Sequence, residues 1–189
     1  MGVDIRDLRI AIGGKEIVHG VDLSIGDGER VGLIGASGSG KSMIARAMLG
    51  LLPPDVMVTG SVMLGGAEVI GAADRTLADL RGRYTGLVFQ NPGASLNPVL
   101  PVGRQIELPL RLHYDLTRGE CIERVNAMLA KVGLPADVAA KFPHELSGGQ
   151  RQRVGIATAL ITSPRLIVAD EPTTALDSIT QRQIVDLLV

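Results

Sequence analysis

Eight consecutive residues, Gly35-Ala36-Ser37-Gly38-Ser39-Gly40-Lys41-Ser42, constrain this chain more than any other feature in it. They fit the spacing G-x-x-x-x-G-K-[ST]. Glycines at these positions let the backbone curl until successive N–H groups point inward, where phosphate oxygens are held. A helix beginning behind Gly40 adds the positive end of its dipole. Lys41 then supplies a point charge for the β- and γ-phosphates, and Ser42 a hydroxyl for Mg2+. Such a loop needs a strand before it and a helix after it. Val31-Gly32-Leu33-Ile34 reads as a short buried parallel strand, and Ile44, Ala47, Met48 and Leu51 fall on one helical face. Gly50 and Pro53-Pro54 are fitting stops for that helix. The eight-residue pattern alone arises by chance in about one chain of this length in a hundred. The strand–loop–helix setting makes coincidence rarer still and points to an α/β fold with a parallel sheet.

Two further segments carry chemistry. Leu166-Ile167-Val168-Ala169 is a second candidate buried strand, and it ends at Asp170-Glu171. In an enzyme with a phosphate loop, an Asp at that place holds Mg2+, usually through water, and an adjacent Glu orients or deprotonates the attacking water. On its own an acidic pair after a strand is more often a solvated strand end. Leu146-Ser147-Gly148-Gly149-Gln150 has capping-box spacing and two glycines that expose backbone N–H groups. That makes a second anion-binding helix end. A chain with one phosphate cradle has no evident use for it in cis, whereas the γ-phosphate of a nucleotide seated on another subunit is a plausible occupant. In isolation an ordinary glycine-rich cap explains it as well.

The rest of the chain supplies scaffold. Val3, Ile5, Ile10 and Ile12, then Val21, Leu23 and Ile25, alternate as strands around a Gly13-Gly14 turn. Gly65-Gly66 sits in the same way between Val62-Met63-Leu64 and Val69-Ile70. Residues 91–163 read as helical. Thr117 and Glu120 form a capping box before Ile122, Val125, Met128, Leu129 and Val132, with Gly133 as the stop. Val154, Ile156, Ala157, Leu160 and Ile161 repeat behind Ser147, Arg151 and Arg153 read either as solvated, slightly the favoured reading, or as helping to hold phosphate or a neighbouring loop, and a last helix is expected from about Ser178.

Composition excludes several classes. Nineteen basic residues against twenty acidic ones give a net charge of −1, so bulk electrostatics does not favour nucleic acid or anionic lipid. Aromatic residues are only 2%, too few for a base-stacking platform. The single cysteine, Cys121, allows no internal disulfide and reads as helix packing or surface. The longest apolar runs fall far short of the ~18 residues that a spanning helix needs. His19 and His113 have no ligand-spaced partner.

Taken in order, these motifs resemble the ATP-binding cassette (ABC) ATPases. The matching pieces are the Walker A loop Gly35–Ser42, the Q-loop Gln90, the signature Leu146–Gln150, the Walker B end Asp170 with Glu171, and the D-loop Ala175-Leu176-Asp177. Phe89-Gln90-Asn91-Pro92, Ser95-Leu96-Asn97-Pro98 and Phe142-Pro143-His144-Glu145 further resemble the ATPases of oligopeptide, dipeptide and nickel importers. The resemblance implies a P-loop NTPase fold with a RecA-like parallel core, an N-terminal antiparallel β subdomain and an inserted helical subdomain near 91–163, all in one domain over 1–189. It also implies ATP and Mg2+ as ligands. Gly35, Ala36, Ser37, Gly38, Ser39, Gly40, Lys41, Ser42 and Met43 would hold the phosphates, and Ser42, Gln90 and Asp170 would surround Mg2+. Glu171 would polarise the water, and Asp177 would link two sites. Ser147, Gly148, Gly149 and Gln150 would reach the γ-phosphate of an ATP on the facing subunit.

The implied partners are a second ABC ATPase subunit, identical or not, two membrane permease subunits gripped by the helical stretch, and indirectly an extracytoplasmic solute-binding protein. Nucleic acid is not among them. The implied location is the cytoplasmic face of the membrane, and the implied cargo is a peptide or a related small solute such as nickel. Two rival readings are a soluble ABC ATPase outside transport and a catalytically weak, truncated nucleotide-binding subunit. A P-loop kinase or GTPase does not explain Leu146–Gln150.

Three departures accompany the resemblance. The position where relatives carry an adenine-stacking aromatic falls near Ile12 here, which offers apolar contact without π-stacking. Met43 stands where many relatives have Thr. No histidine follows Asp177, and the strand that carries a switch histidine in relatives is not found in the sequence. A cassette truncated at its C-terminus is therefore expected, with weak or absent turnover. Val31–Ile34 and Leu166–Ala169 would then lack a shared neighbour.

Overall fold

A computed structural model describes residues 2–88 and 95–170. It divides into two compact units, residues 1–84 and 85–189, each described in its own right. The expected helix from Ser178 lies outside the described residues.

The first unit is built on a four-stranded antiparallel sheet. Its strands are β1 (Val3–Ile12), β2 (Lys15–Ile25), β3 (Met57–Leu64) and β4 (Ala67–Glu68), in the order β2-β1-β3-β4. Both glycine pairs make the expected turns. Gly13 and Gly14 have φ of 56° and 80°, Gly65 and Gly66 have 59° and 91°, and two consecutive positive φ values match the right-handed twist of the flanking strands.

The alternation in β1 changes phase partway along. Val3 and Ile5 point into the core, and so do Leu8 and Ile10, which requires one extra residue between the pairs. A bulge at Asp7 (φ 44°) absorbs it, with shifts in pairing on both sides of β1. The Asp7 N–H donates to Asp22 Oδ1 at 2.8 Å, so the bulge leaves no orphan donor there.

Helix α1 (Lys41–Met48) packs against β3 and buries Ile44, Ala47 and Met48. It ends at Gly50 (φ 60°) in a Schellman arrangement. Leu51 N donates to Arg46 O at 2.9 Å, and Gly50 N to Ala47 O at 3.1 Å. The stop is the expected one. The reversal turns Leu51, expected on the buried face, out to 38% exposure, and the adjacent Leu49 fills the core instead. A short helix α2 (Asp74–Asp79) runs into a π-helical turn (Leu80–Tyr84). From that turn Arg81 donates to Leu49 O at 2.8 Å and Gly50 O at 3.0 Å, satisfying carbonyls at the α1 terminus.

Val31–Ile34 does not form the expected strand. No ladder hydrogen bond engages it among the described residues, and Ile34 is 99% exposed. A parallel strand exists only through its neighbours. An apolar run without them has no ladder to join, however strand-like its composition.

β4 is shorter than Val69-Ile70 suggested: Val69 N still donates across the hairpin to Val62 O at 2.8 Å, and the Glu68 carboxylate serves the backbone donors around that bond. Glu68 Oε1 accepts from the N–H groups of Val62 (2.9 Å), Val69 (3.0 Å) and Ile70 (3.0 Å), and Glu68 Oε2 accepts from the Ser61 hydroxyl. Burial raises the Glu68 pKa, but the Ser61 hydroxyl and the three amides outweigh it and hold the group below the usual glutamate range. A lowered folded pKa means stability that is present above the unfolded value and lost as pH falls through the folded one. Amide-exchange protection at Ile70 is therefore expected to drop as the pH falls through the folded pKa of Glu68, below the usual glutamate range. In Glu68→Gln, which has no carboxylate to protonate, that step is expected to be absent.

The second unit is mainly helical. Helices α3 (Val102–His113), α4 (Arg118–Lys131) and α5 (Gly148–Leu160) are joined by 3-10 turns at Ala136–Ala140 and Pro143–Glu145. Strands β5 (Thr85–Val88) and β6 (Leu166–Ala169) pair in parallel, from Thr85 opposite Leu166 to Val88 opposite Ala169. Together with the antiparallel sheet and the phosphate loop, this is the expected α/β class. The core joins Val102, Ile106 and Leu110 of α3, Cys121, Val125, Met128 and Leu129 of α4, and Val154, Ile156 and Ala157 of α5. Each large apolar side chain buried in this way contributes about 1.5–3 kcal/mol. Gly86 lets α5 approach β5, since a Cβ there would lie 2.3 Å from Ala159 O. β6 is half-buried rather than fully buried, with β5 pairing along one edge.

The α4 capping box forms as expected. Glu120 N donates to Thr117 Oγ1 at 3.3 Å, and Thr117 N to Glu120 Oε2 at 2.8 Å. Gly133 (φ 69°) ends the helix. The buried stripe starts one residue earlier than expected: Cys121 is core, while Ile122 is 48% exposed. Cys121 is the member of the pair in phase with Val125, Met128 and Leu129 at i+4, i+7 and i+8.

Candidate functional site

The phosphate loop spans residues 35–42 and leads from the unpaired segment into α1. Gly40 (φ 92°) is the N-cap of α1, and no side chain caps that terminus. Gly40 sits close against β2, where a Cβ would come 2.9 Å from Val18 Cγ2, so only glycine fits. Gly38 (φ 80°) faces open space and serves backbone conformation alone. Lys41 bends back into the loop. Its Nζ donates to Gly35 O and Ala36 O, both at 2.8 Å, and to Ser39 Oγ at 3.5 Å. The ammonium is thus held at the centre of the curl by groups that incoming phosphate oxygens can replace. Residues 35–39 are exposed, and Lys41, Ser42 and Met43 are half-buried. Ile12 lies in the same unit at the β1–β2 hairpin and is 42% exposed, available for apolar contact.

Asp170 follows β6 in the second unit. Its N–H donates to Val88 O at 3.0 Å, which extends the β5–β6 pairing by one bond and fixes the carboxylate at the strand end. Each unit carries its own hard oxygen donor of the kind that Mg2+ takes, the Ser42 hydroxyl in the first and the Asp170 carboxylate in the second.

The second anion-binding end is well defined. Ser147 Oγ accepts from Gln150 N at 3.2 Å, and Ser147 N donates to Gln150 Oε1 at 2.9 Å, a reciprocal capping box. Ser147 and Gly148 are exposed, Gly149 and Gln150 half-buried, and a Cβ on Gly148 would meet nothing within 4 Å. Of the two readings for Arg151 and Arg153, the structure favours the second: both hold neighbouring backbone. Arg151 Nη1 donates to Leu146 O at 2.7 Å, and Arg153 Nη1 to Val132 O at 2.7 Å at the end of α4. Both carbonyls lie where the backbone leaves regular structure and need a partner. Arg153 and Val132 are 21 residues apart, so no local pattern shows that bond.

The phosphate-loop residues are brought together within the first unit, and Ser147–Gln150 and Asp170 stand in the second. Gln90, Glu171 and Asp177 lie outside the described residues. Among the described residues no helix is long and apolar enough to cross a membrane.

Comparison with known proteins shows the family. Residues 18–174 match the family described as ABC transporter. The oligopeptide transport ATP-binding protein OppD of Lactococcus lactis subsp. cremoris (strain SK11) is 44% identical over 184 residues, 96% of this chain and 54% of the relative. OppD of Escherichia coli (strain K12) is 41% identical over 192 residues, 98% of this chain and 57% of the relative. The chain thus spans little more than half the length of these curated relatives. Among solved structures, the ATP-binding cassette MJ0796, a dimer bound to ADP and Pi in a post-hydrolysis state, superposes with a TM-score of 0.88. It is 34% identical, and the match covers 98% of this chain and 81% of that one.

Proposed function

The chain belongs to the ABC transporter family, and from that premise we propose that the protein carrying it binds and hydrolyses ATP to drive uptake of peptides through a membrane permease. In this reading 1–189 is part of one cassette, with 91–163 as its helical subdomain. The observation that carries the proposal is the presence in one chain of two open helix ends: the glycine-built loop before α1 and the Ser147-capped start of α5.

The loop N–H groups and Lys41 hold the triphosphate, Met43 contributes its backbone N–H, and Ile12 covers the adenine. Lys41 exchanges its bonds to Gly35 O and Ala36 O for phosphate oxygens, so its charge is already in place when ATP arrives. Ser42, Gln90 and Asp170 are the residues that hold Mg2+. Mg2+ held there would supply positive charge against the phosphates. Glu171 orients the attacking water and takes its proton. Ser147, Gly148, Gly149 and Gln150 contact the γ-phosphate of ATP bound to a second ATPase subunit, and Asp177 links the two sites. ATP favours the closed pair because only that state completes its contacts, and hydrolysis removes them. The pair works at the cytoplasmic face of the membrane on two permease subunits, supplied by an extracytoplasmic binding protein. Peptide is favoured over nickel as cargo because the OppD relatives are oligopeptide transport proteins.

The test uses the natural full-length protein with Glu171→Gln, which retains ATP. Light scattering is expected to show a dimer with ATP and a monomer without it. Ser147→Arg in the same background is expected to remain monomeric. A Glu171→Gln protein that stays monomeric at saturating ATP would sink the proposal. Cells lacking the gene are expected to lose uptake of a labelled peptide and retain nickel uptake.

A further inference from the structure

The peptide unit that leads into Ser147 is held at both of its polar groups by side chains from the start of α5. Its carbonyl, Leu146 O, accepts from Arg151 Nη1 at 2.7 Å. Its N–H, on Ser147, donates to Gln150 Oε1 at 2.9 Å. A peptide unit is planar, so fixing both ends fixes its rotation and with it the placement of the next residue. Arg151 also reaches Pro143 O at 3.4 Å, across the short turn Pro143–Glu145, and its own N–H donates to Ser147 O at 2.9 Å. The Glu145 carboxylate accepts from Phe142 N at 2.6 Å and closes the other side of that turn.

Helix stability does not explain a cation here. A positive charge close to a helix N-terminus opposes the helix dipole. What Arg151 accomplishes is local: it satisfies Leu146 O beside a buried Leu146 side chain and sets the angle at which Ser147 leaves the turn. Ser147 Oγ already accepts from Gln150 N, which leaves its hydroxyl proton to donate outward.

We propose that Arg151 is a positioning residue for the nucleotide of the facing subunit: by locking the Leu146–Ser147 peptide it aims the Ser147 hydroxyl and the open N–H groups behind it at that γ-phosphate. The proposal rests on the reading of Ser147–Gln150 given above. Arg151 touches no nucleotide and acts through Ser147. A misplacement of about 1 Å at such a group costs on the order of a hundredfold in rate.

The experiment measures three quantities in the natural full-length protein: melting temperature, affinity of the dilute monomer for ATP, and ATP-driven dimerisation in the Glu171→Gln background. Arg151→Ala is expected to lower the melting temperature only slightly, as Leu146 O loses its partner, to leave the monomer's affinity for ATP unchanged, to weaken dimerisation at least about tenfold, and to lower kcat by about ten- to a hundredfold when Glu171 is present. Arg151→Lys keeps one donor but not the planar fork, and is expected to recover part of the loss. Dimerisation of Arg151→Ala equal to that of its parent overturns the proposal. So does a loss that tracks a large fall in melting temperature or a fall in monomer affinity, since that is what a purely structural role produces. If the Glu171→Gln parent itself does not dimerise with ATP, the reading of Ser147–Gln150 fails and this proposal with it. A dimerising parent with an unaffected Arg151→Ala isolates failure of the present inference alone.

Discussion

Replacing Lys41 with alanine is expected to reduce ATP hydrolysis by the natural full-length protein at least about a hundredfold, the usual effect of deleting one preorganised donor aimed at developing charge. The ammonium sits inside the loop, 2.8 Å from both Gly35 O and Ala36 O. Little rearrangement is needed when phosphate oxygens arrive, and its charge acts on the leaving and transferred groups alike. Alanine removes that charge and also the cross-brace between the two ends of the loop. Stability is expected to change little, within about 0.5 kcal/mol, because residues 35–39 are exposed and water can take over the freed carbonyls. Lys41→Arg is expected to rescue poorly, since a planar guanidinium cannot fill the seat of a compact ammonium. Phosphate release at saturating ATP and the melting temperature, measured on the same samples, separate the two effects. Hydrolysis by Lys41→Ala within about threefold of the parent would remove Lys41 from the site.

What the sequence reveals about this molecule is mostly what is local. The phosphate loop, the capping boxes at Thr117 and Ser147, and the glycine turns at 13–14 and 65–66 are each decided by residues three or four apart in the chain. Their chemistry is complete within that window. The features that escaped are settled by groups far away. Leu8 joins the core because Asp7 bulges, and the bulge is accommodated by Asp22 on β2 and Gly60 on β3. Arg81 and Arg153 find carbonyls 32 and 21 residues away. Val31–Ile34 fails differently: its composition specifies a strand, but composition cannot provide the neighbouring strand that would make it one. Ile122 shows that periodicity fixes the helix more firmly than its phase, because a thiol at Cys121 fills the core position as well as a larger hydrophobe would. The candidate site follows the same division. The loop residues and the Ser147 cap were legible, and a loop-holding role for Arg151 was one of two open readings; its partner was not legible, because a backbone carbonyl has no sequence signature.

Gly60→Val is expected to be the most damaging single substitution in the antiparallel sheet. Gly60 lies in β3 opposite the Asp7 bulge with φ of 100°, a conformation that side-chain-bearing residues rarely adopt. A Cβ there would lie 2.4 Å from Asp7 O and 2.6 Å from Arg6 O. Both are backbone atoms in a paired strand, so neither can move without breaking the ladder that turns Leu8 and Ile10 inward. Gly20, with φ of 75°, flanks the same bulge from β2, where an added Cβ would meet the Asp7 and Arg9 side chains. Backbone strain of about 1–3 kcal/mol combines with the clash. The total is expected to reach about 3–5 kcal/mol, a large part of a typical domain's stability. That corresponds to a fall in melting temperature of roughly 10 °C or more. Gly66→Ala is the control. Its φ of 91° is equally unfavourable, but a Cβ there meets nothing within 4 Å, so it is expected to cost only the backbone strain of about 1–3 kcal/mol. Equal melting temperatures for the two variants would mean that conformational preference alone, rather than the approach of β3 to the bulge, dictates glycine at position 60.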